Sequence, residues 1–243
     1  MRICITNDDS IRGEGLLRLV DWAQKLGEVY VYAPKVEQSA KSHAIEIHKP
    51  FEVKETQVPG AVRAYAVDST PADCVRFAIL GKHEKFDLVI SGINCGMNIG
   101  QDIIYSGTVS AAMEAVALGT NGLALSTEME RFDDAVAQLD CIWSFITENE
   151  LYRKCRLWNV NVPLNTTGEM RITRQGGPYY SDEFEPREND LFMPIGKRVY
   201  EEKTTDELDT DAVMHGYISI TPLTLDRTAN GAYDKLVELN GRK

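Results

Sequence analysis

Strand-like runs that are apolar on both alternating faces recur along this chain, separated by helical patterns. The clearest is Phe86-Asp87-Leu88-Val89-Ile90, which ends in three consecutive apolar residues. A strand without a polar face must be covered on both sides, and a parallel sheet flanked by helices is the usual way to do that. Similar runs occur at Met1 to Asn7, at Glu28 to Ala33 (closed by Pro34), at Gly122 to Ser126 and at Arg156 to Val162. Helical patterns fall at about 16–26, 71–81, 108–118 and 133–149. Thr70-Pro71-Ala72-Asp73 is a helix start, with Thr70 as N-cap, Pro71 in the first position and Asp73 near the positive end of the dipole. The alternation predicts an α/β fold, a doubly wound and mostly parallel sheet.

Past Pro163 the pattern changes. Short strands are expected at Met170 to Arg174 and at Arg198-Val199-Tyr200, flanking an acidic stretch from Ser181 to Asp190. A further strand is expected at Gly216 to Thr221 and a last helix at about 228–239. The sequence therefore predicts a catalytic core over 1–164 and a C-terminal hairpin-and-helix extension over 165–243, the two forming one integrated domain. An isolated hairpin is marginal in water, so such arms commonly make subunit contacts.

Composition narrows the function. The 243 residues carry a formal charge of −11, with a pI near 4.9, which argues against a groove for long nucleic acids, because that affinity rests on Lys and Arg. A small phosphorylated ligand stays possible if a cation supplies positive charge. Five scattered cysteines form no CxxC pair, as expected of free thiols in a reducing compartment. The chain opens on a strand without a signal-peptide pattern, and no apolar run approaches the roughly 18–20 residues of a membrane span. These points predict a cytoplasmic protein that does not enter membranes.

Two segments carry the chemistry. The first strand ends at Asp8-Asp9 and passes through Ser10-Ile11-Arg12-Gly13 into the first helix. In an open α/β sheet, ligands bind beyond the carboxyl ends of the strands. Adjacent carboxylates there repel each other and call for a cation, although the pair could also be a solvated turn that caps the helix. The second segment runs from Ser91-Gly92-Ile93-Asn94 to Ser106-Gly107-Thr108 and opens a helix. A glycine-containing loop that feeds a helix N-terminus can turn backbone N–H groups towards an anion. Ser106 and Thr108 could bind phosphate oxygens, cap the helix, or do both. If the strands are neighbours, Asn94 should lie near Asp8 and Asp9, and the loop from Pro34 to Ser42 should open on the same edge. Two carboxylates, an Asn amide and a Ser or Gln oxygen form an all-oxygen set suited to Mg²⁺, Mn²⁺ or Ca²⁺ rather than zinc. The four histidines lack zinc-site spacing and are expected to be surface or packing residues. No GxxxxGK[ST], early GxGxxG or GxSxG motif is present.

Taken together these stretches resemble the stationary-phase survival protein family, the SurE-type nucleotidases. The resemblance runs through Thr6-Asn7-Asp8-Asp9, Ala33-Pro34 with Ser39, Thr70 to Val75, Ser91 to Asn94, Tyr105 to Val109, Asn159 to Pro163, Thr210-Asp211 and Gly216 to Leu223. It implies a Rossmann-like core, a homodimer or homotetramer built through the C-terminal arms, and one divalent metal ion held by Asp8, Asp9, Ser39 and Asn94. It also implies a phosphate pocket lined by Asn98, Ser106, Gly107 and Thr108. Ser10 and Ser69 stand where the family usually has glycine. The expected activity is phosphate removal from nucleoside monophosphates, of 5′-nucleotidase type with 3′ activity open, and with Asp8 and Asp9 as the catalytic residues. Attack by water, assisted by one of these acids as base, is favoured over direct attack by Asp8. The alternative is a non-catalytic nucleotide-binding protein of the stress response. An intact set of four ligands favours the enzyme, because a pure binder has no need of paired acids.

Overall fold

A computed structural model describes residues 1–129, 131–201 and 205–240. In chain order its elements are β1 (Arg2–Thr6), α1 (Glu14–Ala23), β2 (Glu28–Pro34), β3 (Val53–Thr56), β4 (Arg63–Val67), α2 (Pro71–Arg76), β5 (Leu88–Cys95) and α3 (Gly107–Ala117). They continue with β6 (Asn121–Thr127), α4 (Phe132–Glu148), α5 (Leu151–Lys154), β7 (Leu157–Val162), β8 (Met170–Ile172), β9 (Tyr180–Pro186), β10 (Phe192–Arg198), α6 (Asp209–Met214), β11 (Ile218–Pro222) and α7 (Asn230–Leu236).

The main sheet runs β3-β4-β2-β1-β5-β6-β7-β11-β8. From β4 through β7 all neighbours are parallel, whereas β3 is antiparallel to β4 and β11 antiparallel to β7. Alternating side chains of the central strands enter two apolar layers. Ile3, Ile5 and Ile90 pack with Leu16 and Leu19 of α1 and with Leu139 and Ile142 of α4. Cys4 and Val89 face the other way, among Tyr32, Tyr65, Val75 and Ala111. Both faces of these strands are therefore covered, as their composition requires. The chain leaves β1 for β2 and β4 on one side and then crosses back through α2 to β5 on the other. This switch in strand order opens a crevice beyond the carboxyl ends of β1 and β5.

Four expectations need correction. Ser91-Gly92-Ile93-Asn94 belongs to β5 and not to a loop, because β6 is long enough to pair Asn94 with Ser126 and Cys95 with Thr127 across an irregularity. Gly92 permits this close pass: a Cβ there would lie 2.3 Å from the Leu125 carbonyl oxygen, and its φ of +142° is costly for any L side chain. Much of the acidic stretch Ser181 to Asp190 forms β9, which pairs antiparallel with β10, and of Arg198-Val199-Tyr200 only Arg198 lies in a strand. Every residue of that hairpin is exposed, so no buried face imprints a period-2 pattern on its sequence. In the segment after residue 164, β8 and β11 extend the main sheet, and α6 buries Ala212 and Val213. The last helix is shorter than expected, with α7 giving way to a 3₁₀ turn at Val237–Leu239. Residues 202–204 and 241–243 of the expected extension lie outside the described residues.

Candidate active site

Residues that leave β1 and β5 meet at the switch in strand order. Thr6 pairs with Ser91 in the sheet, so Asp9 and Asn94 stand three residues beyond a matched pair. Asp9 Oδ2 accepts a long hydrogen bond from the Cys95 backbone N–H, 3.4 Å. The loop after β2 closes over the same edge, where Gln38 N–H donates to the Asp8 carbonyl oxygen at 2.7 Å. Asp8, Asp9, Asn94 and the loop bearing Ser39 thus share one end of the sheet.

Asp8 points at the N-terminus of α3. Its Oδ1 accepts from the Thr108 hydroxyl at 2.5 Å and its Oδ2 from the Thr108 backbone N–H at 3.2 Å. Gly107 leaves room for this approach, since a Cβ there would sit 2.9 Å from Asp8 Cβ and 3.1 Å from Pro71 Cγ. Burial pushes the Asp8 carboxyl up, and the Thr108 hydroxyl opposes that shift. Asp9 is pushed up to about 6, first by burial and then by the Asp8 charge beside it. Among the described residues no Lys, Arg or His forms an ion pair with either acid. Asn7 Oδ1 is a further buried oxygen here without a hydrogen-bond partner among the described residues. This edge therefore gathers oxygen acceptors and negative charge, with no compensating cation among the described residues. A hard divalent ion fits such a donor set.

The remaining expected residues divide. Asn94 Nδ2 donates to the Gly96 carbonyl oxygen at 2.7 Å, which leaves the amide oxygen as its cation-seeking end. Ser39 is exposed and its hydroxyl donates to Glu37 at 2.7 Å. Ser106 is the N-cap of α3 and accepts from Val109 N–H at 3.1 Å, so its capping role is realised. Asn98 is a brace: its side-chain amide donates to Ser126, its N–H to Asn161, and its carbonyl accepts from Asn159 and Asn161. Ser10 adopts φ +95°, the region that favours the glycine usual in the family.

The sequence reading gave no part in the site to two supports. Asn159 and Asn161 are fully buried on β7 and hold the loop at Asn98. An Asn-x-Asn pair inside an otherwise apolar strand was the available signal, since buried amides need partners. Asp209 is fully buried and accepts from the backbone N–H groups of Gly100, Gly176 and Thr210. It fastens the start of the 3₁₀ turn Gly100–Tyr105, which leads into Ser106, to the C-terminal segment. His43 and Arg76 both pair with Glu114 of α3, at 2.7 and 2.8 Å, which agrees with a packing role for that histidine.

Comparison with known proteins places the chain in a family. The profile of the family described as Survival protein SurE matches residues 3–182. A 5′-nucleotidase SurE from Thermoanaerobacter sp. (strain X514) is 38% identical over 242 residues, covering 94% of each chain. A 5′/3′-nucleotidase SurE from Edwardsiella ictaluri is 37% identical over 250 residues, covering 100% of this chain and 97% of the relative. The crystal structure of the SurE protein from Aquifex aeolicus superposes with a TM-score of 0.79 at 31% identity, covering 98% of this chain and 99% of that one. With most of its length matched by the family profile and nearly all of it by these relatives, the chain belongs to the SurE survival protein family.

Proposed function

We propose that this chain is a divalent-metal-dependent phosphomonoesterase that releases phosphate from nucleoside monophosphates, as the names of its relatives suggest. The observation that carries the reading is the pairing of Asp8-Asp9 with the N-terminus of α3 through Thr108. Asp8, Asp9, Asn94 and Ser39 would hold one Mg²⁺, Mn²⁺ or Ca²⁺ ion. When bound, that ion polarises a phosphoryl oxygen and neutralises the charge that develops in the transition state.

The rest of the work falls to the chain itself. The N–H groups at the start of α3 favour an anion in front of Gly107 and Thr108, where the helix dipole is positive. Thr108 orients Asp8 with both its hydroxyl and its backbone N–H, and a phosphate oxygen would take one of these donors over when the acid turns to the cation. Ser106 holds the helix start in register, and Asn98 braces the loop that leads to it. One of the two acids, Asp8 or Asp9, assists as base to an attacking water. A non-catalytic nucleotide binder fits less well, because it would keep a pair of adjacent acids without a use for them.

The extension over 165–243 serves in this reading as the assembly arm of a homodimer or homotetramer. Its support is the β9–β10 hairpin, which exposes Phe184, Phe192 and Met193. Among the described residues no helix is long and apolar enough to cross a membrane. A phosphate-release screen over nucleoside 5′- and 3′-monophosphates tests the activity: turnover of at least one of them is expected, and turnover of none would overturn the reading.

A further inference from the structure

A cavity of about 620 Å³ opens beside the phosphate-facing turn, a size that suits a small organic ligand. Its wall on the core side is the 3₁₀ turn Gly100–Tyr105, whose last residue directly precedes Ser106. Its outer wall is the base of the hairpin, from Tyr180 to Asp182 with Gly196 opposite. The active-site loop after β2 reaches its rim, where Ser42 donates from its N–H and its hydroxyl to the carbonyls of Tyr105 and Ile104 at 3.0 and 2.6 Å.

Two features of the lining limit what it can hold. Tyr105 and Tyr180 expose more than half of their surface, so two aromatic faces are available. Tyr180 is held in place: its ring packs edge-on against Tyr179 at 4.9 Å, and its N–H donates to Asp102 at 3.1 Å. Asp102 and Asp182 are the charged groups of the lining, and none of the lining residues is Lys, Arg or His. Burial and the charge of Asp182 push Asp102 up, so the two carboxylates sense each other. Carboxylates accept hydrogen bonds and repel anions, so this chamber suits a neutral body with O–H donors and a flat ring. Its charge disfavours a phosphate group.

Building on the phosphatase reading above, we infer that this chamber is the nucleoside subsite, with the base against Tyr105 and Tyr180 and the ribose hydroxyls donating to Asp102 and Asp182. Position supports the assignment, because the chamber begins one residue before the turn that faces the phosphate. The acidic wall also selects for a ribose without a second phosphate.

Titration calorimetry of the whole protein with adenosine, which carries no phosphate, tests this directly. Saturable binding is expected, weakened roughly five- to a hundredfold in Tyr180→Ala and retained in Tyr180→Phe, as loss of a stacking face predicts. Tyr180 is exposed, so its replacement should leave folding intact, which circular dichroism verifies. In turnover, Tyr180→Ala should raise KM for adenosine 5′-monophosphate far more than for glycerol 2-phosphate, an ester without a base. Adenosine 3′,5′-bisphosphate should be used at least about tenfold less efficiently than the 5′-monophosphate, a gap that narrows in Asp182→Asn. Absence of adenosine binding, or equal losses on both esters, would overturn the subsite. If the protein hydrolyses no phosphomonoester yet binds adenosine through Tyr180, the phosphatase reading fails and the subsite stands.

Discussion

Thr108 grips Asp8 twice, by its hydroxyl at 2.5 Å and its backbone N–H at 3.2 Å, while Ser106, two residues earlier, turns its hydroxyl back to cap the helix. The two hydroxyls of one short motif therefore do different work, and mutation should separate them. Thr108→Val removes a hydrogen bond to a charged group, worth on the order of 1.5–3 kcal/mol, and should lower kcat/KM about ten- to a hundredfold. Ser106→Ala should instead cost stability, about 0.5–2 kcal/mol for a lost N-cap, with the smaller kinetic effect. Steady-state kinetics and urea melts of both variants check the split.

The acid pair predicts opposite responses with and without a cation. In EDTA, Asp9→Asn relieves repulsion by Asp8 and should raise stability by about 1 kcal/mol, a modest gain because Asp9 is only half-buried. Millimolar Mn²⁺ should raise the Tm of the natural protein and leave that of Asp9→Asn unmoved, by linkage of binding to folding. Phosphate release by Asp9→Asn should be abolished. Thermal melts in EDTA and in Mn²⁺ measure both effects, and a variant that still gains stability from Mn²⁺ would remove Asp9 from the cation site.

Asp209 links stability to pH. Its folded pKa is pushed up to about 6, chiefly by burial, against an ordinary 3.8, so folding favours the protonated form. Its contribution is complete below pH 3.8 and is lost as the pH rises through about 6. Relative to Asp209→Asn, the natural protein should lose on the order of 3 kcal/mol of stability between about pH 4 and 7. Denaturant titrations of both proteins across this range check the sign. A gap that widens in the other direction would mean that the three backbone N–H bonds outweigh burial.

The exposed hairpin predicts assembly. Its strands carry Phe184, Phe192 and Met193 into solvent, more apolar surface than an isolated two-stranded ribbon tolerates well. Light scattering at micromolar concentration should give at least twice the 27.2 kDa chain mass. Phe184→Lys with Phe192→Lys should return it to the single-chain mass.

Much of this architecture was legible in the sequence, for identifiable reasons. The apolar run at Leu88 to Ile90 announced a strand covered on both faces, and Thr70-Pro71-Ala72-Asp73 announced a helix start. Thr70 indeed caps α2 by accepting from Asp73 N–H at 3.1 Å. The proximity of Asp8, Asp9 and Asn94 followed once strands β1 and β5 were neighbours. What stayed hidden lacked a local signature. The β9–β10 hairpin has no buried face to impose a period, and Asp209 acts on Gly100 across 109 residues of sequence. Whether Ser106 caps or binds is a matter of rotamer, which composition and spacing do not encode.

The central claim is that a cation held at Asp8 and Asp9 drives phosphate release from nucleotides. Its most direct test is phosphate release from adenosine 5′-monophosphate by protein stripped with EDTA and dialysed, then resupplied separately with Mg²⁺, Mn²⁺, Ca²⁺ or Zn²⁺. The account predicts no turnover in the stripped protein and recovery with at least one of the oxygen-seeking ions Mg²⁺, Mn²⁺ or Ca²⁺. Full turnover in EDTA, or none with any of the four ions, would contradict it.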